Sequence, residues 1–350
     1  MPILYTQAAQ NPNTVPIAEI KKRPLGRTGL FVSEIGFGGW GIGKDVWKQT
    51  SDGESMRALR QALDRGINYF DTALSYGGGH SEKLIGRLAR ASKQDIIIST
   101  KIPPKNKCRF AEGIPPLSEA FPPQWIVRCV EQSLRNLSVG CLTIEKFHTW
   151  TDEWLADALW PEVAQTLERL KKEGKIRFFG VSIRNGNPQS ALKLAASGLA
   201  DEIQAVFNIF EPDAADALLP LCRRKGVALV ARSPFDEGAL TGELTPQTKF
   251  EPGDFRRQYF EGIRLLEAWR RARLIATSAN GHKARDLAAI ALKFCLSFPG
   301  IATVIPGMRK VRHVIQNTSF ADGHYYTKKE LGVFTPHRWP ATAASSIPWR

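Results

Sequence analysis

A rhythm limits the folds open to this chain more than any single motif does. After an N-terminal stretch, residues 1–20, that reads as a flexible arm, short β-rich runs alternate with helical patterns every 30 to 45 residues or so. The strand runs are "EIGFG", "INYFDT", "DIIISTK", "LTIEKFHTW", "IRFFGVS", "EIQAVFN", "VALVARS" and "IATVIPG". Between them lie runs with helical apolar spacing, such as "ESMRALRQALDRG", "WIVRCVEQSLRNLS" and "EVAQTLERLKKEG", several ending in the glycine that commonly caps a helix. Strands separated by helices pair in parallel through right-handed crossovers. The count of strands matches a (β/α)8 TIM barrel, an α/β fold, here spanning residues 21–322 with a C-terminal tail at 323–350. Strands as apolar as "DIII" and "VALVA" suit a sheet covered on both faces. A doubly wound sheet is the alternative, because strand order is not written in the sequence.

Two proline-rich stretches interrupt the rhythm: "IPPKNKCRFAEGIPPLSEAFPPQ" after the third strand and "SPFDEGALTGELTPQTKFEPGDFRRQYF" after the seventh. Both follow strand C-termini, where barrel active sites are built, and loops of this length in a compact fold are commonly functional. The net charge of +14 favours anionic ligands. Its basic residues are interleaved with acids, as in "TLERLKKEGKIR", and no zinc knuckle or aromatic RNA-binding motif accompanies them. The charge therefore reads as a solvated basic surface able to serve a phosphate-bearing cofactor, with no nucleic-acid partner. No apolar run reaches the length of a membrane span, and the N-terminus lacks a signal-peptide pattern. Five scattered cysteines without a CxxC read as a reduced, cytoplasmic protein. A monomer or weak homo-oligomer is expected.

"IGFGGWGIG", residues 35–43, carries the Gly36-x-Gly38-x-x-Gly41 spacing of a dinucleotide-binding turn. That turn needs a helix opening on the glycines and an acidic residue about 20 positions on. Here a polar stretch follows, and Asp71 stands 30 positions past Gly41 inside another motif. The loop is expected at the end of the first barrel strand, where glycine lets the backbone pass close to a ligand. Tyr325-x-x-x-Lys329 in "YYTKK" imitates another dehydrogenase pair but lies in the polar tail and reads as coincidence. The six histidines form no HxH or HExxH pair, so no metal site is expected.

Proton-handling residues stand at three successive strand ends: Asp71 and Tyr76 in "YFDTALSYG", Lys101 in "IISTK" and His148 in "EKFHTW". In a parallel barrel these ends converge on one face. A tyrosine hydroxyl ordinarily titrates near 10, and a neighbouring ammonium favours its ionised form. A carboxylate holds that ammonium, and an imidazole orients a substrate oxygen. The set suits protonation of a carbonyl oxygen while hydride reaches its carbon.

From about Arg23 to Asn317 the chain resembles an aldo-keto reductase. The resemblance rests on "RPLGRTGLFVSEIGFGGWGIG", "GINYFDTALSYGGGHSEKLIGRL", "IISTK", "GKIRFFGVS", "SPFDEGALTG" and "VIPGMRKVRHVIQN", in this order. It implies a catalytic tetrad of Asp71, Tyr76, Lys101 and His148, with Tyr76 the general acid. It also implies NADPH/NADP+ lying across the barrel mouth and a small carbonyl or alcohol substrate. Gly38, Gly39 and Trp40 would meet the nicotinamide end, with Ser182 and Gln204 at its carboxamide. Ser233, Phe235 and Gly238 would meet the pyrophosphate; Arg309, Arg312, Gln316 and Asn317 would hold the adenosine end.

Two positions depart from the family pattern. Ile183 replaces an asparagine after the serine of "GVS", leaving Asn185 as the nearby substitute, and Arg232 replaces an aromatic residue before "SP". A planar guanidinium can also stack on the nicotinamide. Trp40, Trp47, His80 and Trp150 are expected to line the substrate pocket, with Phe110, Trp125 and Trp339 as further aromatics. The alternative to an enzyme is a slow NADP(H)-binding regulatory protein on the same barrel.

Overall fold

The computed structural model of the chain describes residues 20–45, 50–106, 108, 110–278 and 286–339. Residues 1–19 of the expected N-terminal arm (residues 1–20), Trp47 and the end of the tail lie outside them.

A small antiparallel hairpin comes first, β1 (Lys22–Pro24) with β2 (Phe31–Ser33). The eight expected strands come next as β3 (Phe37–Gly38), β4 (Tyr69–Asp71), β5 (Ile97–Ile102), β6 (Leu142–Phe147), β7 (Ile176–Ser182), β8 (Glu202–Val206), β9 (Ala228–Arg232) and β10 (Ile301–Ile305). They pair in parallel in chain order, and bridges from Ile35 to Val304 and from Gly38 to Gly307 join the first strand to the last. The sheet is thus a (β/α)8 barrel, not an open doubly wound sheet.

The expected first strand, "EIGFG", is β3, and the β1–β2 hairpin before it is not among the expected strands; it closes the barrel floor. Leu25 and Val32 pack into the same buried cluster as Tyr69, Ile144 and Val230 of the barrel interior. Gly26 makes that approach, with φ +55°, and a Cβ there would stand 2.4 Å from the Gly226 carbonyl oxygen.

Helices on the outside bury one stripe each, as their amphipathic pattern requires. Asp52–Asp64, for example, is capped by Ser51, whose side chain accepts from the Glu54 N–H, and turns Met56, Leu59 and Leu63 inward. The helix Leu287–Leu296 is different, for every residue in it is buried. Residues 322–339 supply its outer cover. Phe334 packs edge-on against Phe294, and Asp322 pairs with Lys293 at 2.6 Å. The described part of the tail therefore packs on the barrel, ending where the Trp339 N–H donates to the Phe210 carbonyl at 2.7 Å.

Candidate active site

The top of the barrel carries a cleft of about 260 Å³ whose floor is made by strand ends: Gly38, Asp71, Gln204, Arg232 and Ile305. Asp71 is the last residue of β4. Tyr76 precedes a turn of three consecutive glycines with positive φ. Gly77 is required there, because a Cβ would fall 1.9 Å from the Gly43 carbonyl oxygen. That turn bends the chain back so that Tyr76 reaches the cleft.

The expected tetrad meets in space. Lys101 Nζ donates to Asp71 Oδ1 at 2.6 Å, to the Thr72 carbonyl at 2.7 Å and to the Tyr76 hydroxyl at 3.3 Å. His148 follows β6, its N–H bound to the Ile102 carbonyl, and its ring meets Tyr76 edge-on at 5.6 Å. The Ser75 hydroxyl lies 3.2 Å from His148 Nδ1. Burial and the Lys101 charge hold the imidazole well below its usual range, so it is neutral.

Burial favours the neutral form of Asp71, but the charges of Lys101 and Lys146 outweigh it and bring its carboxyl down to about 2. Burial brings Lys101 down to about 8, against the pull of Asp71. For Tyr76 the expected lowering by a nearby ammonium is overturned. Burial, with the Asp71 charge adding, pushes the hydroxyl well above its ordinary value, and Arg232 only partly opposes this. The tyrosine is therefore a neutral hydroxyl at physiological pH, the protonation state a general acid requires.

These residues stand at the C-terminal strand ends of a barrel whose sequence can be matched to others. The aldo/keto reductase family profile matches residues 34–333. The chain belongs to that family. Its relatives include the aldo-keto reductase YhdN of Bacillus subtilis (strain 168), 29% identical over 81% of this chain and 83% of the relative. The NADH-specific methylglyoxal reductase of Escherichia coli (strain K12) is 30% identical over 71% of this chain and 80% of the relative. Among solved structures, the holo form of aldo-keto reductase AKR11C1 from Bacillus halodurans superposes with a TM-score of 0.71. It is 26% identical, over 91% of this chain and 97% of that one. The protein is accordingly an oxidoreductase of the class that acts on carbonyl substrates.

The glycine loop lies along the wall of the enzyme's cleft. Gly38, Gly39, Trp40 and Gly41 all line it, and the Gly39 N–H donates to the Asp71 carbonyl at 2.8 Å. A Cβ on Gly41 would stand 2.5 Å from Arg309 Cγ, so this glycine admits the arginine that comes after the last strand. Ser233, Phe235 and Gly238 line the middle of the cleft, and Arg309, Gln316 and Asn317 its far end. Gln204 also lines it, with its amide donating to Asp71 Oδ2 at 2.7 Å.

Other expected residues stand elsewhere. Ser182 is buried at the end of β7, and Arg312 is exposed on the helix Val311–Ser319; neither lines the cleft. Trp150 is fully buried among Phe147, Trp154 and Trp160, so it is a core residue and not a pocket wall. His80 begins the helix His80–Ala91 and is tied to Asp52 at 2.9 Å, outside the cleft lining. Trp125 and Phe110 are likewise outside it, the first donating to the Pro103 carbonyl and the second packed on Trp154. Tyr325 donates to Glu34 below the barrel, away from the cleft.

Arg232, expected at the nicotinamide, does line the cleft; it is buried and donates to the Ile183 carbonyl at 3.0 Å and to Asn185 Oδ1 at 2.7 Å. The expected substitute Asn185 is thus engaged by the other departure. Arg256 and His313 join Arg309 at the far end, and Phe255 packs on Trp40 with ring centroids 4.9 Å apart. Glu237 lines the middle stretch, its carboxyl raised to about 7 by burial and by Asp236. Nothing in the local sequence marks Arg256, which arrives from within the long loop after β9. Lys146 and Glu202 were legible in principle. Each stands two residues before a selected position, His148 or Gln204, on the same face of its strand.

Proposed function

We propose that this protein is an NADP(H)-dependent oxidoreductase that reduces an aldehyde or ketone to an alcohol, or runs the reverse, with Tyr76 as the proton donor. The observation that carries the reading is the Lys101–Tyr76 contact of 3.3 Å at the floor of a cleft whose other end holds two arginines. The donor set fits the cofactor. Arg309 and Arg256 line one stretch of wall, and guanidinium groups in such a pair suit a phosphate. The helix Val311–Ser319 begins beside them, adding the positive end of its dipole. When bound, NADPH would supply the hydride for the carbonyl carbon.

The remaining chemistry belongs to the chain. Tyr76 gives its hydroxyl proton to the carbonyl oxygen as negative charge develops there. Lys101, kept charged by Asp71, stabilises the resulting phenolate. Neutral His148 orients the same oxygen by a hydrogen bond. Trp40, Gly38, Gly39, Gln204 and Arg232 would surround the reactive end of the cofactor. Ser233, Phe235 and Gly238 would track its pyrophosphate, and Asn317 and Gln316 its adenosine. A relative named for NADH specificity exists in the family; the arginine pair is what supports NADPH here.

The test is oxidation of NADPH, monitored by its absorbance, against a panel of aldehydes and ketones, repeated with NADH. Turnover of at least one carbonyl compound with preference for NADPH is expected. Absence of turnover across the panel, in either direction, would overturn the reading.

A further inference from the structure

Beneath the tetrad lies a second pair of charges. Lys146, fully buried on β6, places Nζ 2.8 Å from Asp71 Oδ2 and 2.9 Å from Glu202 Oε1. Glu202 is also fully buried; the Tyr69 hydroxyl lies 2.9 Å from both its oxygens, and Ser99 Oγ approaches it at 3.4 Å. Buried charges thus alternate across the barrel: Lys101, Asp71, Lys146, Glu202. Asp71 is divided, with Oδ1 on Lys101 and Oδ2 on Lys146 and Gln204.

Fold stability alone does not call for this pair. Barrel interiors are filled mainly by branched apolar residues, and nearby interior positions hold Ile144 and Val230. Replacing a buried ion pair by apolar residues is often neutral or stabilising. The pair's placement against a catalytic carboxylate points to a different use.

We propose that Lys146, backed by Glu202, is a positioning residue of the active site. It takes one oxygen of Asp71, loosens that carboxylate's hold on Lys101, and so sets the pH at which Lys101 ceases to support Tyr76. This rests on the tetrad roles given above. The groups facing Lys101 are Asp71 and Tyr76 from β4 and its following turn, Lys146 and His148 from β6, and Glu202 from β8. Glu82, on the helix outside the barrel, and Glu145, on the outer face of β6, act on it from behind. Among these, Lys146 is the fully buried cation bound to the same carboxylate as Lys101. Its charge favours loss of the Lys101 proton, and Glu202 moderates that effect.

The two members of the pair must therefore act in opposite directions, which a merely structural role would not produce. The test is NMR titration of the full chain carrying ¹³Cε-labelled lysine, with the Lys101 signal assigned by its loss in Lys101→Met. Lys146→Met should move the Lys101 titration upward by about one pH unit, a tenfold change in proton affinity. Glu202→Gln should move it downward. The double variant Lys146→Met/Glu202→Leu leaves neither member of the pair charged and unpaired, and should move it upward by less than Lys146→Met. It decides the matter if the single variants do not fold. The basic limb of kcat/KM with NADPH should shift in the same order. Identical Lys101 titrations in every folded variant would overturn the proposal. The NMR readout needs neither cofactor nor substrate, so failure to reduce any carbonyl would count against the proposed function and leave this test standing.

Discussion

The two ends of the cleft are built by different means. At the reactive end, Asp71, Lys101 and Gln204 are fixed by strands, and each is at most 2% exposed. Asp71 is held by Lys101 at 2.6 Å and by Gln204 at 2.7 Å, and Lys101 also by the Thr72 carbonyl at 2.7 Å. At the far end, Arg256 comes from a long loop and Arg309 from the segment after β10, and both are only partly buried. On the proposed function, the chemistry would rest on the rigid sheet, and cofactor affinity and choice on connections that can vary without disturbing it.

Tyr76→Phe tests this contrast most severely. Turnover should fall by about 10³-fold, as expected for loss of a general acid, while NADPH affinity by fluorescence titration stays near that of the unaltered enzyme. Comparable losses in both would show that the ends are not separable.

A second prediction concerns the rigid end alone. Asp71 holds its proton with a value of about 2, below the ordinary 3.8 of a free carboxyl. A carboxylate depressed by folding stabilises the fold above its unfolded value and loses that contribution as pH falls through its folded one. About 2 kcal/mol should therefore disappear between roughly pH 4 and pH 2. Urea unfolding across that range checks it, and Asp71→Asn should flatten this part of the profile.

At the far end, Arg309→Ala should weaken NADPH binding by about tenfold, the scale of one charge-assisted phosphate contact. Arg256→Ala should act in the same direction, and NADH binding should change little in either. Equal losses for both cofactors would place the arginines away from the 2′-phosphate.

The smallest effect lies between the two ends. Glu237 titrates at about 7, so it gains negative charge as pH rises through neutrality. NADPH affinity should fall severalfold from about pH 6 to about pH 8 by repulsion of the pyrophosphate. Glu237→Gln should remove that part of the dependence in a calorimetric titration. A dependence unchanged by the substitution would separate Glu237 from the bound phosphates.

Much of the reactive end could be read from the chain because it obeys local rules. Asp71, Lys101 and His148 close strand-like runs, and in a parallel barrel all such ends face one side. Trp150 shows where that reasoning fails. It also comes just after a strand, but the chain turns after Thr149, and the indole enters a cluster with Trp154 and Trp160. Hydrophobicity marks a residue for burial or for a pocket wall without distinguishing them. The β1–β2 hairpin escaped for another reason: three-residue strands carry too little alternation to be separated from the neighbouring β3.

The succession of strands and helices, and the residue types at the strand ends, are properties of the chain alone. Alternation with period 2 or 3.6 and the turn preferences of glycine and proline act over a few neighbouring residues. The meeting of Lys146 and Glu202 under Asp71 is a property of the assembled barrel, as is the grip of Arg232 on Asn185. Those partners lie on separate elements, and barrel closure and strand register decide which of them come within bonding distance.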